Sequence, residues 1–276
     1  MSMVFGRKTR IQIKTPAQLL IMRQAGLVVG KLLKKLESEI APGITTLDID
    51  AIAREHLKTE GAKPSFLGYH GYPAVVCTSV NDEIVHGIPS NRKLEEGNLI
   101  SVDFGAIVDG WHGDAARTYL VGDVEPKMRR LSEITRQSMW AGMAQAVAGN
   151  RLSDISHAVE KVVRADGQWG IVEEYVGHGI GTEMHMYPNV PNLGKPGHGP
   201  ELENGMTFAI EPMVTAGTRY NQVEEDDWTV TTTDGSWASH WENTVAITPE
   251  GPWVLTELDG GVAELRALGL DVPDRS

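Results

Sequence analysis

The sequence lacks the features that hold small exported proteins or membrane proteins together. A single cysteine, Cys77, stands in 276 residues, which excludes an intramolecular disulfide and a cysteine-rich zinc site. No apolar run approaches the roughly 18 residues of a membrane span, and the first 14 residues carry no apolar core of a signal peptide. We therefore expect a cytoplasmic protein with no membrane partner, in which any metal ion is bound by Asp, Glu and His.

Basic charge is also scarce. The chain has 25 Lys and Arg against 37 Asp and Glu, a formal net charge of −12. Such a balance repels phosphate backbones, so we expect no direct binding of nucleic acid. The 41% hydrophobic and 22% charged residues are typical of a globular protein, and the length suffices for one large domain with a sizeable core.

The order helix, helix, strands is predicted twice along the chain. Thr15, Pro16 and Gln18 form the pattern of a capped helix start, with Pro at the first helical position. Gly61 is placed to end the second helix. The predicted helices span about 16–40, 46–60, 126–147 and 153–166, and the predicted strands span about 74–80, 99–108, 111–121, 206–214 and 241–248.

Residue matches at a nearly fixed offset support an internal duplication. Six residues recur 106 positions later, namely Gly43, Asp48, Ile49, Gly61, Tyr69 and Gly71 as Gly149, Asp154, Ile155, Gly167, Tyr175 and Gly177. At an offset of 108, Leu94, Gly97 and Asp103 correspond to Leu202, Gly205 and Glu211. Two acidic residues therefore occupy equivalent strand positions, and a pseudo-two-fold axis would bring them together.

Four acidic residues in predicted strands indicate a cation site. Asp109-Gly110 between two apolar runs predicts a two-residue hairpin, in which Gly105 faces Asp114 and Asp103 faces Ala116. Asp103 and Asp114 are then diagonal neighbours on one face, within reach of a shared ion. Glu211 and Glu242 also lie in apolar runs, where acids are rare unless paired. Each alone is more often a solvent-facing residue, but together the four favour a hard-cation or binuclear site.

The histidines lie in glycine-rich turns. His178 lies within Gly177–Gly181, where glycines allow the backbone to approach a site closely, and His86 lies in the turn His86–Pro89. A lone histidine is more often a hydrogen-bonded structural residue than a ligand, so these positions alone leave both roles open. The sequence has neither the H-E-x-x-H pattern of zincins nor the G-x-S-x-G pattern of serine hydrolases.

These motifs, in this order, resemble type I methionine aminopeptidase, a metallopeptidase of the pita-bread fold. The resemblance covers about Thr15 to Pro252 and rests on Tyr69-His70-Gly71-Tyr72-Pro73, Cys77-Thr78-Ser79-Val80-Asn81, His86-Gly87-Ile88-Pro89, Val102-Asp103-Phe104-Gly105, Asp109 to Asp114, Gly177 to Gly181, Ile210-Glu211-Pro212 and Glu242-Asn243-Thr244. It implies an α+β fold of two pseudo-symmetric halves around a central antiparallel sheet. We expect an N-terminal extension at 1–14 and one catalytic domain at 15–276, with halves at about 15–122 and 123–256.

The resemblance also implies the roles of individual residues. Asp103, Asp114, His178, Glu211 and Glu242 would bind two divalent ions (Co, Mn, Fe or Zn), with Asp103 and Glu242 bridging them. His86, His185 and Glu211 would be catalytic. Tyr69, Tyr72, Cys77, Met184 and Trp228 would line the methionine pocket, and His86 and His185 would also touch substrate. The implied reaction is removal of the initiator methionine from nascent proteins and peptides, with a small second residue preferred, through a hydroxide between the ions.

Some positions depart from the family pattern. Asn243 stands where a histidine is frequent, and Met184 and Phe66 replace residues that are often Phe and Cys. The N-terminal extension lacks the cysteines of a zinc-finger module, so ribosome docking through such a module is not supported, although transient ribosome association stays open. We expect a monomer. The alternatives are a proline-specific relative (aminopeptidase P or prolidase) and a catalytically inactive binding module of the same fold.

Overall fold

The structure is a computed structural model that describes residues 10–275. Most of the predicted N-terminal extension, residues 1–9, lies outside this range. The helices are α1 (Pro16–Glu39), α2 (Thr46–Glu60), α3 (Pro126–Met143), α4 (Leu152–Asp166) and α5 (Val262–Ala267), with a 3-10 turn at Tyr69–Gly71. Within residues 10–275, no helix is both long and apolar enough to cross a membrane.

The strands of the described residues are β1 (Lys63–Pro64), β2 (Val76–Val80), β3 (Glu83–Val85), β4 (Leu99–Val108), β5 (Trp111–Leu120), β6 (Gly170–Ile171), β7 (Gly177–Gly179), β8 (Met186–Val190), β9 (Thr207–Ile210), β10 (Met213–Thr215), β11 (Asn221–Val223), β12 (Val230–Thr232), β13 (Ala238–His240), β14 (Asn243–Thr248) and β15 (Gly251–Val254). These strands form four antiparallel sheets. Three have the orders β15-β14-β9-β7-β8, β13-β10-β6 and β11-β12-β3, and in the fourth sheet β4 pairs with β1, β2 and β5.

The helix starts follow the local sequence. Thr15 and Gln18 form the predicted capping box: the Gln18 amide donates to Thr15 Oγ1 at 3.3 Å, and the Thr15 amide donates to Gln18 Oε1 at 2.8 Å. Helix α2 ends at Gly61, whose φ of +67° is the left-handed conformation that glycine adopts without strain. Helix α3 ends at Met143, four residues before the predicted position. The residues after it form turns, in which Asn150 Nδ2 donates to the Gln145 carbonyl at 3.0 Å.

The β4–β5 hairpin has the predicted register. Asp109 and Gly110 both adopt positive φ, +48° and +81°, as a type I′ turn requires. Gly105 pairs with Asp114, and Asp103 pairs with Ala116. Asp103 and Asp114 therefore lie on the same face of the sheet.

In each half, a pair of helices covers one sheet. Leu32 and Ile49 of the first pair pack with Phe104 of β4 in one buried cluster. Met143 of α3 and Phe208 of β9 belong to the corresponding cluster of the second half. Each amphipathic helix pair thus buries its apolar face on its own sheet, which leaves the opposite faces of the sheets free to meet.

The turn before the second helix of each half makes the same hydrogen bonds. The Gly43 amide donates to the Leu94 carbonyl at 2.7 Å, and the Gly149 amide donates to the Leu202 carbonyl at 2.9 Å. Leu94 and Leu202 return a bond of 2.8 Å each, to the carbonyls of Ile44 and Asn150. These contacts keep the offsets of 106 and 108 found in the sequence, so the two halves have equivalent local structure.

Two strands predicted as continuous are interrupted. The strand predicted at 206–214 divides into β9 and β10 at Glu211-Pro212, and the strand predicted at 241–248 begins only at Asn243. Proline cannot donate to a strand ladder, and the chain changes sheets at this point: β9 pairs with β14, whereas β10 pairs with β13. Glu211 and Glu242 both lie in such breaks.

The two halves meet where β5 runs beside the end of β13 and the start of β14. The Ala116 and Glu242 backbones exchange two hydrogen bonds, at 3.3 and 3.0 Å. The Thr244 hydroxyl accepts from the Asp114 amide at 3.1 Å and donates to the Asp114 carbonyl at 2.8 Å. This contact brings the hairpin carboxylates of one half against the break carboxylates of the other.

Helix α1 approaches this region so closely that a methyl group cannot be added at Gly26. A Cβ there would lie 2.1 Å from the Leu255 carbonyl oxygen. We expect Gly26→Ala to lower the free energy of unfolding by about 1–3 kcal/mol, although alanine is the better helix former by about 1 kcal/mol. Urea denaturation checks this, with Gly194→Ala as the control because its Cβ would meet Ser156 Cβ at an ordinary 3.6 Å. Equal stability of the two variants would contradict it.

Candidate metal centre

The structure gathers the five predicted ligands into one cluster. Asp114, His178 and Glu242 each offer a ligand atom within 4.8 Å of the other two, and Glu211, His240 and Glu242 form a second such group. His178 Nε2 lies 3.4 Å from Glu211 Oε1. Asp103 adjoins Asp114, because Gly105 pairs with Asp114 and Asp103 with Ala116 on the same hairpin. Residues distant in sequence thus converge on a space surrounded by oxygen and imidazole nitrogen.

The grouping bears on which carboxylate is shared between ions. Asp114, and not Asp103, lies with both His178 and Glu242. Asp114 is therefore the carboxylate grouped with His178 and Glu242, and the bridging role predicted for Asp103 stays a prediction.

The cluster is electrostatically costly without a cation. Burial raises the pKa of Asp103, and the neighbouring Asp114 and Glu211 raise it further. Burial also raises the pKa of Asp114 to about 7, and those of Glu211 and Glu242 well above their usual range. Among residues 10–275, Asp103 Oδ1, Asp114 Oδ1 and Glu242 Oε1 are buried and find no hydrogen-bond partner. Unpaired buried carboxylate oxygens of this kind suit divalent ions, whose positive charge would compensate the negative charge of the carboxylates.

These raised pKa values predict that metal binding releases protons. At pH 7 a carboxyl whose pKa is about 7 or higher is at least half protonated, and a divalent ion must displace that proton. Affinity for Mn or Co should therefore increase as the pH rises from about 5 to 8. Calorimetric titration in two buffers of different ionisation enthalpy would count the protons; identical heats in both buffers would contradict the prediction.

The imidazole of His178 is oriented for ligation. His178 is 5% exposed, and its Nδ1 lies 3.0 Å from the Gly179 carbonyl oxygen. A carbonyl only accepts, so Nδ1 carries the proton and Nε2 is free to face Glu211. Burial lowers the pKa of His178 to about 4, which keeps the ring in the neutral form that binds metal.

The backbone around Glu242 is fixed by Arg117. Its guanidinium donates to the carbonyls of Ala116 and Glu242, to Asn243 Oδ1 at 2.8 Å and to Glu257. Asn243 Oδ1 also accepts from the Thr256 hydroxyl at 2.6 Å. Asn243, the departure from the family pattern, therefore belongs to this supporting network and not to the carboxylate cluster.

An apolar cluster of side chains adjoins the carboxylates. Cys77 on β2 is the cross-strand partner of Asp103, and it packs in one cluster with Phe66, Tyr72, Ala74 and Met184, against which Tyr69, Ile88 and Trp228 pack. The rings of Tyr72 and Trp228 contact edge to face, with centroids 5.0 Å apart. All five residues predicted to line the methionine pocket thus lie together, and Phe66, the other departure besides Met184, packs with them.

The two predicted non-ligand histidines lie beside the apolar cluster. The His185 ring is 4.3 Å from that of His178, and His185 Nδ1 is 2.9 Å from the Tyr69 hydroxyl. The His86 ring lies 6.3 Å from that of Trp228. His86 adopts a positive φ of +63°, and burial lowers its pKa to about 4. A non-glycine residue held in this conformation is a strained feature of the kind that clusters at functional sites.

A match to metallopeptidase family M24 covers residues 21–249, which is most of the chain. The chain belongs to metallopeptidase family M24. This M24 chain is 51% identical over 247 residues to a methionine aminopeptidase of Clostridium acetobutylicum, covering 89% of this chain and 98% of that relative. It is also 51% identical over 257 residues to methionine aminopeptidase 1 of Mycobacterium tuberculosis, covering 91% and 96%.

Solved structures of the family share the fold. The methionine aminopeptidase of Thermotoga maritima superposes with a TM-score of 0.88 at 42% identity, covering 90% of this chain and all of that one. The prolidase of Pyrococcus furiosus superposes with a TM-score of 0.71 at 23% identity, and the match spans 65% of the prolidase. The M24 chain therefore has the predicted pita-bread fold.

Sequence reasoning missed one residue of the cluster, His240. It is 2% exposed, and its Nε2 lies 3.5 Å from Glu211 Oε2 and 3.9 Å from Glu242 Oε2. A usable signal was present, because residues two apart in an extended segment point to the same side, and His240 stands two positions before Glu242.

Proposed function

We propose that this M24 metallopeptidase is a methionyl aminopeptidase that removes the initiator methionine from nascent proteins and peptides. The observation that carries the proposal is the position of the pocket: Cys77, which faces Asp103 across the sheet, packs with Met184 and Tyr72. Aromatic and sulfur-bearing side chains suit an unbranched thioether, which packs well against ring edges. The identity of 51% to two methionine aminopeptidases also supports it.

Asp103, Asp114, His178, Glu211 and Glu242 would hold two divalent ions. When bound, these ions polarise the scissile carbonyl and make a water molecule acidic enough to act as nucleophile near neutral pH. Their identity is not fixed by the donors, because carboxylates with imidazole accept Mn, Fe, Co or Zn.

Side chains carry out proton transfer and stabilise the oxyanion. Glu211 accepts the proton of the attacking water and delivers it to the leaving amine, the work of a general acid and base. His185, at the mouth of the pocket, donates to the developing oxyanion. His86 contacts the scissile amide nitrogen and assists proton delivery. The free amino group of the substrate lies on the side of Asp103 and Asp114.

Three finer features follow from the family resemblance and from the proposed substrate. The residue after methionine should be small. Nascent chains are met in the cytoplasm, which sets the proposed location, and contact with the ribosome would be transient. The monomer predicted from the sequence stays a prediction.

Peptide cleavage tests the proposal. Metal-free protein would be incubated with Met-Ala-Ser and with Ala-Pro-Ala, with and without added Mn, Co or Fe, and the products weighed by mass spectrometry. We expect metal-dependent release of methionine from Met-Ala-Ser alone. Cleavage before proline would assign a proline-specific peptidase, and cleavage of neither peptide with any metal would favour an inactive binding module.

The role of His86 gives a separate prediction. His86→Ala should lower kcat on Met-Ala-Ser by about 100-fold, because proton transfer by a placed side chain contributes 10²–10⁴-fold, while the affinity for Co changes little. Steady-state kinetics measure kcat, and calorimetry measures the affinity for Co. His157→Ala serves as the control, because the His157 ring contacts the Gly194 carbonyl and is not among the candidate metal ligands. Parallel losses of kcat and metal affinity would reject the assignment of His86 as a non-ligand.

A further inference from the structure

The imidazole of His240 faces the carboxylate cluster. Its Nε2 is buried without a hydrogen-bond partner among the described residues. An imidazole nitrogen left unpaired in the interior costs free energy. The residue lies at the end of β13, directly before the break that carries Glu242, so its side chain emerges into the same space.

The backbone fixes this orientation. His240 pairs with Met213 across the sheet. Its amide donates to the hydroxyls of Ser101 at 3.2 Å and Thr118 at 3.1 Å, and its carbonyl accepts from the Thr118 hydroxyl at 2.9 Å. These bonds join His240 to β4 and β5 of the other half. The backbone at His240 is therefore held in place by both halves of the molecule.

The distances around Nε2 fit shared ligation better than hydrogen bonding. Nε2 lies 3.5 Å from Glu211 Oε2 and 3.9 Å from Glu242 Oε2. Both distances exceed the roughly 2.7–3.2 Å that is usual for an N–H···O bond. Two ligands about 2.1 Å from one ion, at angles of 90–120°, are roughly 3.0–3.6 Å apart. The first distance falls in that range and the second just above it. The predicted ligand pair His178 and Glu211 has nearly the same separation, 3.4 Å.

We propose that His240 Nε2 is an additional protein ligand of the ion bound by Glu211 and Glu242, so that the centre contains two imidazoles, from His178 and His240. The inference rests on the metal-dependent function proposed above and adds a ligand that the sequence motifs did not include. A second imidazole moves the donor set toward the ions that nitrogen ligands favour, such as Zn, Co and Fe, and away from Mn. We therefore expect His240 to raise the affinity for these ions relative to Mn.

Zinc binding to His240→Gln tests the ligand directly. We expect a loss of zinc affinity of at least about 100-fold, the upper end of what loss of an outer-shell partner costs, and a smaller loss for Mn. In protein labelled with ¹⁵N-histidine, zinc should shift one ring nitrogen in each of two histidines, and His240→Gln should remove one of these signals. His157→Gln is the matched control, because His157 lies on α4 beside Gly194. An unchanged set of zinc-shifted signals in His240→Gln overturns the proposal.

A second variant keeps the test decisive should His240→Gln fail to bind any metal. His240→Cys places a thiol at the same position, and a thiolate bound to Co(II) gives a charge-transfer absorption in the near ultraviolet. The native Cys77, buried beside Asp103, is an internal control, since wild-type protein should lack the band. Appearance of the band supports ligation at residue 240, and a folded, cobalt-loaded variant without it contradicts ligation.

The two proposals fail in different ways. Wild-type protein that shows two zinc-shifted histidines but cleaves no Met-Ala-Ser would reject the aminopeptidase function and retain the ligand. Protein that cleaves the peptide, with zinc signals unaffected by His240→Gln, would reject the ligand alone.

Discussion

Replacement of Glu242 by glutamine is expected to lower kcat/KM for Met-Ala-Ser by at least about 10³-fold. Loss of one shared carboxylate weakens a centre that supplies several kcal/mol of transition-state stabilisation, and each 1.36 kcal/mol is tenfold in rate. Glu242 belongs to both groups of candidate ligands, so its removal should affect both ions. Peptide kinetics with metal titration would measure the loss.

The same variant should gain stability when metal-free. Burial holds the pKa of Glu242 well above its ordinary value, so the folded protein retains a proton that the unfolded chain releases, and stability falls as the pH rises above the unfolded pKa of about 4.3. Glutamine removes this titration. At pH 8, metal-free Glu242→Gln should therefore unfold at a higher temperature than wild type and be stabilised less by added Co.

The exposed Glu203→Gln is the control for both measurements, since no buried charge is removed there. Wild-type activity of Glu242→Gln at any metal concentration would exclude the residue from the centre. A lower melting temperature of the metal-free variant would show that the Glu242 carboxyl group stabilises the folded wild-type protein.

Glu211→Gln is expected to lower kcat by about 10²–10⁴-fold, the usual contribution of a general base. Glu211 lies between the two imidazoles, with His178 at 3.4 Å and His240 at 3.5 Å, and a glutamine of the same shape keeps an oxygen for the ion. The amide cannot take a proton from water. Activity should therefore stay low at saturating metal, with KM for the peptide changed little.

Saturation with metal separates the two roles of Glu211. If Glu211→Gln reaches the wild-type kcat once excess Co is added, Glu211 acts only as a ligand, and the base must be sought elsewhere. The contrast with Glu242→Gln is informative, because the loss there should lie mainly in metal affinity. Both variants would be measured from the same metal-free preparation.

Local sequence predicted much of the first half of the molecule. The Thr15 and Gln18 capping box and the Asp109-Gly110 turn depend only on neighbouring residues, and both formed as expected. The hairpin register then followed by counting, and it placed Asp103 and Asp114 on one face. The offsets of 106 and 108 also predicted equivalent halves, because a duplicated sequence repeats its local hydrogen bonds.

Other features depended on contacts distant in sequence. The breaks at Glu211 and Glu242 arise because the strands before and after each break belong to different sheets: β9 pairs with β14, and β10 pairs with β13. The alternation of residue types along a strand does not show which strand it pairs with. The grouping of Asp114, and not Asp103, with His178 and Glu242 also depends on how the halves meet.

The sequence alone determined the family, the helix starts, the hairpin and the residue types available for a metal centre. These follow from short-range hydrogen bonding and from motifs that can be read along the chain. The tertiary structure alone decided which carboxylates share a site and that His240 joins them. Its backbone amide donates to the hydroxyls of Ser101 and Thr118, more than 120 residues away, and packing between halves of a chain fixes positions that no local pattern encodes.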